Sequence, residues 1–164
     1  FAALPAAPLW RRGKHTTELD LATEQGRQRL HALAAGADVL VCSGRPSSLA
    51  RRGLDYASLA RRHPHLVVAH VTGFGDTGPL AELPGYEHVV AARAGRMRLF
   101  SGLVERDGPV FSALQVGIHA CAQSTVAGIL AALHARAADG HGRHVRTSIL
   151  QGLLAYEQGP MLGH

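Results

Sequence analysis

Four basic side chains sit in loops that precede or follow apolar, strand-like runs. Arg12 and Lys14 lie in Trp10-Arg-Arg-Gly-Lys-His15, Arg45 in Ser43-Gly-Arg-Pro46 and Arg51 in Leu49-Ala-Arg-Arg-Gly53. A guanidinium grips a phosphate through parallel N–H donors and an ammonium binds it as a point charge, so these are candidate phosphate ligands. One such residue alone is ordinarily a solvated surface charge. A glycine-rich loop, Thr72-Gly-Phe-Gly-Asp-Thr-Gly-Pro79, adds a backbone that a ligand could approach closely. Read by itself it is a plain turn, and its spacing is not that of a dinucleotide fingerprint. The chain carries no Gly-x-Ser-x-Gly elbow, phosphate loop or zinc-ligand spacing. Its eleven histidines include His63 and His65 around a proline and His141 and His144 around a Gly-rich turn. With no Cys or carboxylate cluster beside them, they read as solvated side chains, and no metal is expected.

The elements that must position these residues alternate in type. Leu19–Leu21 is a strand candidate. Thr23 can cap a helix carrying Leu30, Leu33 and Ala34 at helical spacing, which Gly36 ends. The run 38–42 reads as a strand covered on both faces, followed by a loop at Gly44, Arg45 and Pro46. A helix near 55–63, with Asp55 as cap, precedes a second buried strand over 66–71. A helix over 86–98 and a turn region over 102–108 come next. The Ala-rich stretch 116–138 predicts a long buried helix, closed by Asp139-Gly-His-Gly-Arg143. His144–Thr147 is the last strand candidate, with Ser148 capping a final helix. Strands alternating with helices imply a parallel α/β sheet, with ligands off the carboxyl ends of its strands. That rule sets Ser43–Arg45 beside Thr72–Pro79 as a candidate cleft. From composition and spacing alone, the reading stops at a soluble α/β domain with a basic cleft.

Bulk properties agree. The 164 residues are 46% hydrophobic, 18% charged and 5% aromatic, enough for one core built from Ala, Leu and Val. No run approaches the roughly 18 consecutive apolar residues of a membrane span, so no membrane partner is expected. A formal charge of +5 favours an anionic partner. Base-stacking aromatic platforms are scarce, which favours a phosphorylated small molecule over nucleic acid. Cys42 and Cys121 stand in apolar runs and read as buried free thiols suited to a reducing cytosol, so a cytoplasmic location is expected. Residues 1–8 read as a leader or linker and 9–164 as the domain. The chain opens on Phe1 rather than Met, which suggests a fragment or a processed chain.

In order, the motifs resemble those of the class III coenzyme A transferases (CaiB/BaiF type, with formyl-CoA transferase, carnitine-CoA transferase and α-methylacyl-CoA racemase as relatives). Arg12-Gly-Lys-His-Thr-Thr-Glu-Leu-Asp-Leu21 resembles the family's Arg-Gly-Lys-Arg-Ser-x-x-Leu-Asp-Leu. Ala37-Asp-Val-Leu-Val41 with Arg45-Pro46, Leu49-Ala-Arg-Arg-Gly-Leu54, His63-Pro-His-Leu66, the glycine loop and Pro84-Gly-Tyr-Glu87 follow in the family's order. So do Gly128-Ile-Leu-Ala-Ala-Leu133 and Gly140-His-Gly-Arg-His-Val145. The resemblance implies part of a Rossmann-like large domain, a parallel sheet with helices on both faces. A first strand-helix segment and a small domain would lie outside these residues, and two chains would interlock as a dimer. It implies coenzyme A or acyl-CoA and a carboxylic acid as substrates. By position, Arg12, Lys14, Arg45 and Arg51 become the residues that hold the CoA phosphates. In the family an aspartate attacks the acyl-CoA thioester to give a mixed anhydride. The released CoA thiolate then forms an aspartyl-CoA thioester, from which the acceptor acid takes CoA.

That aspartate stands ten residues before the residue that opens the Gly-Ile-Leu-Ala-Ala-Leu segment, which is Ile118 here. No Asp or Glu lies between Pro109 and Ala138. His119, the next residue, reads as a helix-face or cleft-lining side chain. The racemase branch places a histidine where this chain has Tyr86, and Tyr86-Glu87 resembles the transferase branch, with Glu87 read as structural. The catalytic residues are therefore unknown. Three readings stand: an active transferase or lyase whose chemistry comes from another segment or subunit, a catalytically silent CoA-binding half of a fused two-copy enzyme, and a basic structural or nucleic-acid-binding module.

Overall fold

In the computed structural model, which describes residues 7–99, 105 and 107–156, three parallel strands form one sheet in the order β1-β2-β3. These are β1 (Val39–Ser43), β2 (Val67–Thr72) and β3 (His144–Ser148). The register pairs Val39 with Val67 and Ser43 with Val71, then Val68 with His144 and Thr72 with Ser148. Helices α1 (Ala7–Arg11) and α2 (Glu24–Ala35) precede β1, and α3 (Pro46–Arg51) and α4 (Tyr56–Arg62) join β1 to β2. Then α5 (Glu87–Arg93), α6 (Arg96–Leu99) and α7 (Val116–Asp139) join β2 to β3, and α8 (Ile149–Tyr156) follows.

Successive strand residues point to opposite faces of a sheet, and here they feed two apolar clusters. Cys42 and Val68 pack with Ala34 of α2, Leu49 of α3 and Leu59 of α4. Val71 packs with Val90 and Ala91 of α5, Cys121 of α7, and Ile149 and Leu153 of α8. The expected architecture, a parallel sheet with helices on both faces, is the one found.

Three expected caps form. Thr23 Oγ1 accepts from Gly26 N–H at 3.1 Å, Asp55 Oδ1 from Ser58 N–H at 2.9 Å, and Ser148 Oγ from Gln151 N–H at 3.2 Å. Each satisfies an orphan donor of the first turn. Gly140 ends α7 in the left-handed region at φ 75°, where a side chain would be strained. Both cysteines are free and buried, and burial pushes the Cys42 thiol up to about 11.

Other expectations need correction. Leu19–Leu21 is no strand: the Asp20 carbonyl accepts from Thr23 N–H and Oγ1, and Asp20 Oδ1 from Ala22 N–H. This side-chain turn uses local backbone groups that a ladder would need. The loop expected at Pro46 is the start of α3, because proline's fixed φ and missing N–H suit a first helical turn. The helix expected over 86–98 breaks into α5 and α6 at Gly95, whose φ is 78°. Strand β1 is not covered on both faces: Val41 is 53% exposed, since α7 lies over β2 and β3. Helix α7 is buried on one side only, through Gly117, Ala120, Cys121, Thr125 and Ala132, while Val126 and Leu130 face outward. By length and composition α7 could cross a membrane, yet here it packs along the sheet and against α8. Of the leader expected over 1–8, residues 7 and 8 open α1; residues 1–6 and most of the turn expected over 102–108 lie outside the described residues.

The histidines depart furthest from expectation. His63 and His70 are buried. His70 Nε2 meets the Leu54 carbonyl at 2.9 Å and its Nδ1 meets His144 Nε2 at 3.0 Å, while His144 stacks on Tyr56. A second pair joins His31 Nδ1 to His63 Nε2 at 3.1 Å. An imidazole bonded in this way gives its ring to the core and satisfies its nitrogens there.

Candidate functional site

A cleft of about 390 Å³ opens at the carboxyl ends of β1 and β2. Ser43, Gly44 and Arg45 form one wall, Val71 to Gly73 the floor, and Leu83 to Tyr86 the opposite wall. Gly44 N–H donates to the Val71 carbonyl at 3.3 Å, which fastens the first wall to the floor. The second wall is fastened by close backbone packing. A Cβ on Gly73 would lie 2.4 Å from Gly85 Cα, so only glycine lets these two segments meet. Ser43–Arg45 and the start of the glycine loop thus meet as expected. The rest of the loop, Phe74 to Thr77, lines a separate groove of about 320 Å³ with His70 and Arg146. In the sequence the Leu83–Tyr86 wall shows only through the Pro84-Gly-Tyr-Glu87 motif.

Of the four predicted phosphate ligands, Arg45 lines the cleft, exposed at the N-cap of α3, and Arg51 stands exposed in the last turn of that helix. Both act on Glu82. Its carboxylate accepts from Ser47 N–H at 3.0 Å and from Ser47 Oγ at 2.6 Å, which ties the second wall to α3. The Ser47 bonds hold Glu82 below the usual carboxylate range, and the positive charges of Arg45 and Arg51 lower it further. Arg12 and Lys14 lie in the exposed segment after α1 and line none of this cleft. The Lys14 ammonium turns back onto the Trp10 carbonyl at 2.6 Å.

At the start of α7, Glu87 is buried, and its two oxygens accept from Gly117 N–H at 3.0 Å and Ile118 N–H at 2.8 Å. A carboxylate thirty residues away supplies the cap that the first turn of α7 lacks in its own sequence. Spacing gave no hint of it. Gly117 makes room: a Cβ there would lie 3.0 Å from Glu87 Oε2 and 2.7 Å from Ile149 Cγ2. The Ile118 side chain is 37% exposed, and His119 is exposed and outside the cleft. Beside Leu83–Tyr86, the exposed Tyr86 ring stacks on His88, which meets Phe111 edge-on. Among the described residues no group of His, Cys, Asp and Glu side chains is arranged to hold a metal ion.

The sequence profile of CoA-transferase family III matches residues 5–164. The chain belongs to that family. It is 32% identical over 151 residues to cinnamoyl-CoA:phenyllactate CoA-transferase of Clostridium sporogenes, covering 91% of this chain and 36% of that one. It is 35% identical over 158 residues to acetyl-CoA:oxalate CoA-transferase of Acetobacter aceti, covering 92% and 39%. The crystal structure of Rv3272 from Mycobacterium tuberculosis superposes with a TM-score of 0.83 at 30% identity, over 92% of this chain and 42% of that one. A CAIB/BAIF family protein from Brucella suis gives 0.78 at 31%. The chain therefore spans about two fifths of the length of these relatives.

The family's Gly-Ile-Leu-Ala-Ala-Leu segment lies within α7, where a Cβ on Gly128 would meet Val145 Cγ1 at 2.7 Å. Since α7 runs unbroken from Val116 to Asp139, the ten residues from Gly128 back to Ile118 are counted along one helix.

Proposed function

We propose that this chain is the CoA-binding part of a class III CoA transferase in which residue 118 does not supply the nucleophilic carboxylate. The observation that carries the reading is Arg45 on the wall of a cleft at the strands' carboxyl ends, with Arg51 on the same short helix. A guanidinium on the cleft wall suits the phosphates of CoA, with a second at the far end of α3. Arg12 and Lys14 join the reading through their motif alone. Isoleucine cannot form an anhydride, and Glu87, the nearest carboxylate to residue 118, is buried with both oxygens on backbone N–H groups. Transfer of CoA between an acyl-CoA and a carboxylic acid then needs a carboxylate from another segment or subunit. Either an interlocked homodimer or a fused second copy would provide one. If that second copy does all the chemistry, this chain is the silent CoA-binding half, a reading that Ile118 favours. A cytoplasmic setting suits two free buried thiols.

Calorimetric titration with CoA tests the binding claim. Arg45→Ala and Arg51→Ala should each weaken CoA by about tenfold, the scale of a charge-assisted hydrogen bond. Unchanged affinity in both would remove them from the site. A melting temperature raised by duplex DNA and unmoved by millimolar CoA would favour the nucleic-acid-binding module instead. Assaying transfer by the full-length enzyme before and after Ile118→Asp tests position 118: a gain of activity supports the reading, and no gain places the chemistry elsewhere.

A further inference from the structure

Helix α3 stands between two spaces. Ser48 lines the cleft, while Pro46, Ser47, Leu49 and Ala50 line a groove of about 380 Å³ on the other side. His70 and His144 line that groove and not the cleft, so they meet the helix from behind. Consecutive residues of β2 fasten its two ends. The Val71 carbonyl accepts from Gly44 N–H at 3.3 Å, one residue before Arg45. At the other end His70 Nε2 lies 2.9 Å from the Leu54 carbonyl. Leu54 is buried, and its own N–H donates to the Leu49 carbonyl at 2.9 Å, which closes the turn that carries Arg51. A carbonyl only accepts, so His70 Nε2 bears the proton. In the neutral ring Nδ1 is then left to accept, and it faces His144 Nε2 at 3.0 Å. His144 lies flat on Tyr56, the first residue of α4, with centroids 4.5 Å apart and 7° between the planes. A ring bonded through both nitrogens has one orientation, set by its partners.

We propose that His70 is a positioning residue for ligand binding: with His144 behind it, it fixes the Leu54 carbonyl and so the end of α3 that presents Arg51. The inference rests on the CoA reading of the cleft and adds to it two residues outside the lining. Arg51 is exposed, so its backbone decides where its guanidinium can meet a phosphate. A helix end already held in place spares the ligand the cost of ordering it. Without the bond from His70, the turn from Leu49 to Leu54 keeps its own hydrogen bonds but loses its tie to the sheet. The guanidinium then ranges over more positions and holds a phosphate less well. His70 touches no ligand in this scheme and acts only through the main chain of α3.

The test is calorimetric titration of the full chain with CoA. His70→Asn keeps a polar head that reaches His144 but stops short of Leu54. His70→Gln restores an N–H at the reach of Nε2 and leaves an oxygen to accept from His144. The asparagine variant should weaken CoA about fivefold, within the tenfold expected of Arg51→Ala, and the glutamine variant should recover to within about twofold of wild type. In the Arg51→Ala background, His70→Asn should cost nothing further, because the residue it positions is gone. A thermal melt of each variant confirms that it is folded, and His70→Met, which fills the space without a donor, should repeat the asparagine result. Wild-type affinity in the asparagine and methionine variants overturns the proposal and leaves the CoA reading standing. An equal loss in both backgrounds assigns the effect to general loosening and overturns it as well. A glutamine variant as weak as the asparagine one removes the donated bond as the cause. Failure of wild type to bind CoA, or unchanged binding by Arg51→Ala, overturns the reading of the arginine and this inference with it.

Discussion

His70 and His144 meet ring to ring across the sheet: Nδ1 of the first lies 3.0 Å from Nε2 of the second, on neighbouring strands β2 and β3. One ring must donate and the other accept, so a doubly protonated pair cannot keep the bond. Burial holds His144 below the ordinary histidine value, and the nearby His70 and Arg146 lower it further, with Asp76 opposing. His31 and His63 are lowered in the same way, first by burial, then by Arg62 and neighbouring imidazoles. A group lowered on folding binds fewer protons folded than unfolded, so stability rises with pH through that range. The melting temperature should therefore fall as pH drops below about 6.5, the unfolded histidine value. His144→Phe, which keeps a ring against Tyr56, should flatten that slope while lowering the midpoint at every pH. An unchanged slope would remove the pair as its source.

Replacing Glu87 should destabilise the chain without any ligand present. Glu87→Ala leaves two N–H groups of α7 unpaired, one buried and one partly buried, a loss of about 2–6 kcal/mol at about 1–3 per unsatisfied group. Glu87→Gln keeps one good acceptor and should cost less. Urea unfolding followed by circular dichroism reads both.

Gly73 and Gly36 make an instructive pair. Alanine at Gly73 would drive a Cβ to 2.4 Å from Gly85 Cα, so the second wall of the cleft must move away. The expected loss is about 1–3 kcal/mol, the scale of overpacking. At Gly36 the φ is −100° and nothing lies within 4 Å, so alanine there should stabilise by about 0.5 kcal/mol through the unfolded chain. Thermal melts of the two variants should move in opposite directions.

Arg136 joins α7 to the start of two strands. Its guanidinium donates to Asp38 Oδ1 at 2.6 Å and to the His65 carbonyl at 3.0 Å. Arg136→Lys keeps the charge but cannot span both acceptors, so it should lose nearly as much stability as Arg136→Ala, about 1 kcal/mol. A lysine variant as stable as wild type would reduce the contact to simple charge attraction.

Thiol labelling with a maleimide offers a check on the core. Cys42 and Cys121 are both buried, and the Cys42 thiol is pushed up to about 11. At pH 8 both should label only as fast as the chain opens, and at once in denaturant.

What was legible in the sequence follows a physical division. Thr23, Asp55, Ser148 and Gly140 act on backbone groups within a few residues, so their roles show in local spacing. The two long apolar runs gave β1 and β2, and the Ala-rich run gave α7. Leu19–Leu21 misled because its apolar residues flank an aspartate that turns the chain on itself. The burial of β1 and of α7 was overestimated because an apolar run records what a surface tolerates rather than what lies on it. The Glu87 cap, the Glu82–Ser47 contact and the two imidazole pairs each join residues tens of positions apart, and nothing local marks such partners. Of the predicted site, only Arg45 was placed in the cleft by the rule that ligands sit at strand ends; Arg51 came with it through α3.

The cap on α7 separates the fold from the side chain at residue 118. Because Glu87 holds residue 118 by its main chain, the turn stands whatever side chain is attached there. Side chains at that position, an aspartate among them, could be exchanged without unfolding the domain. Selection on reactivity and selection on foldability would act on different residues, and a lineage could silence such a site and keep the protein.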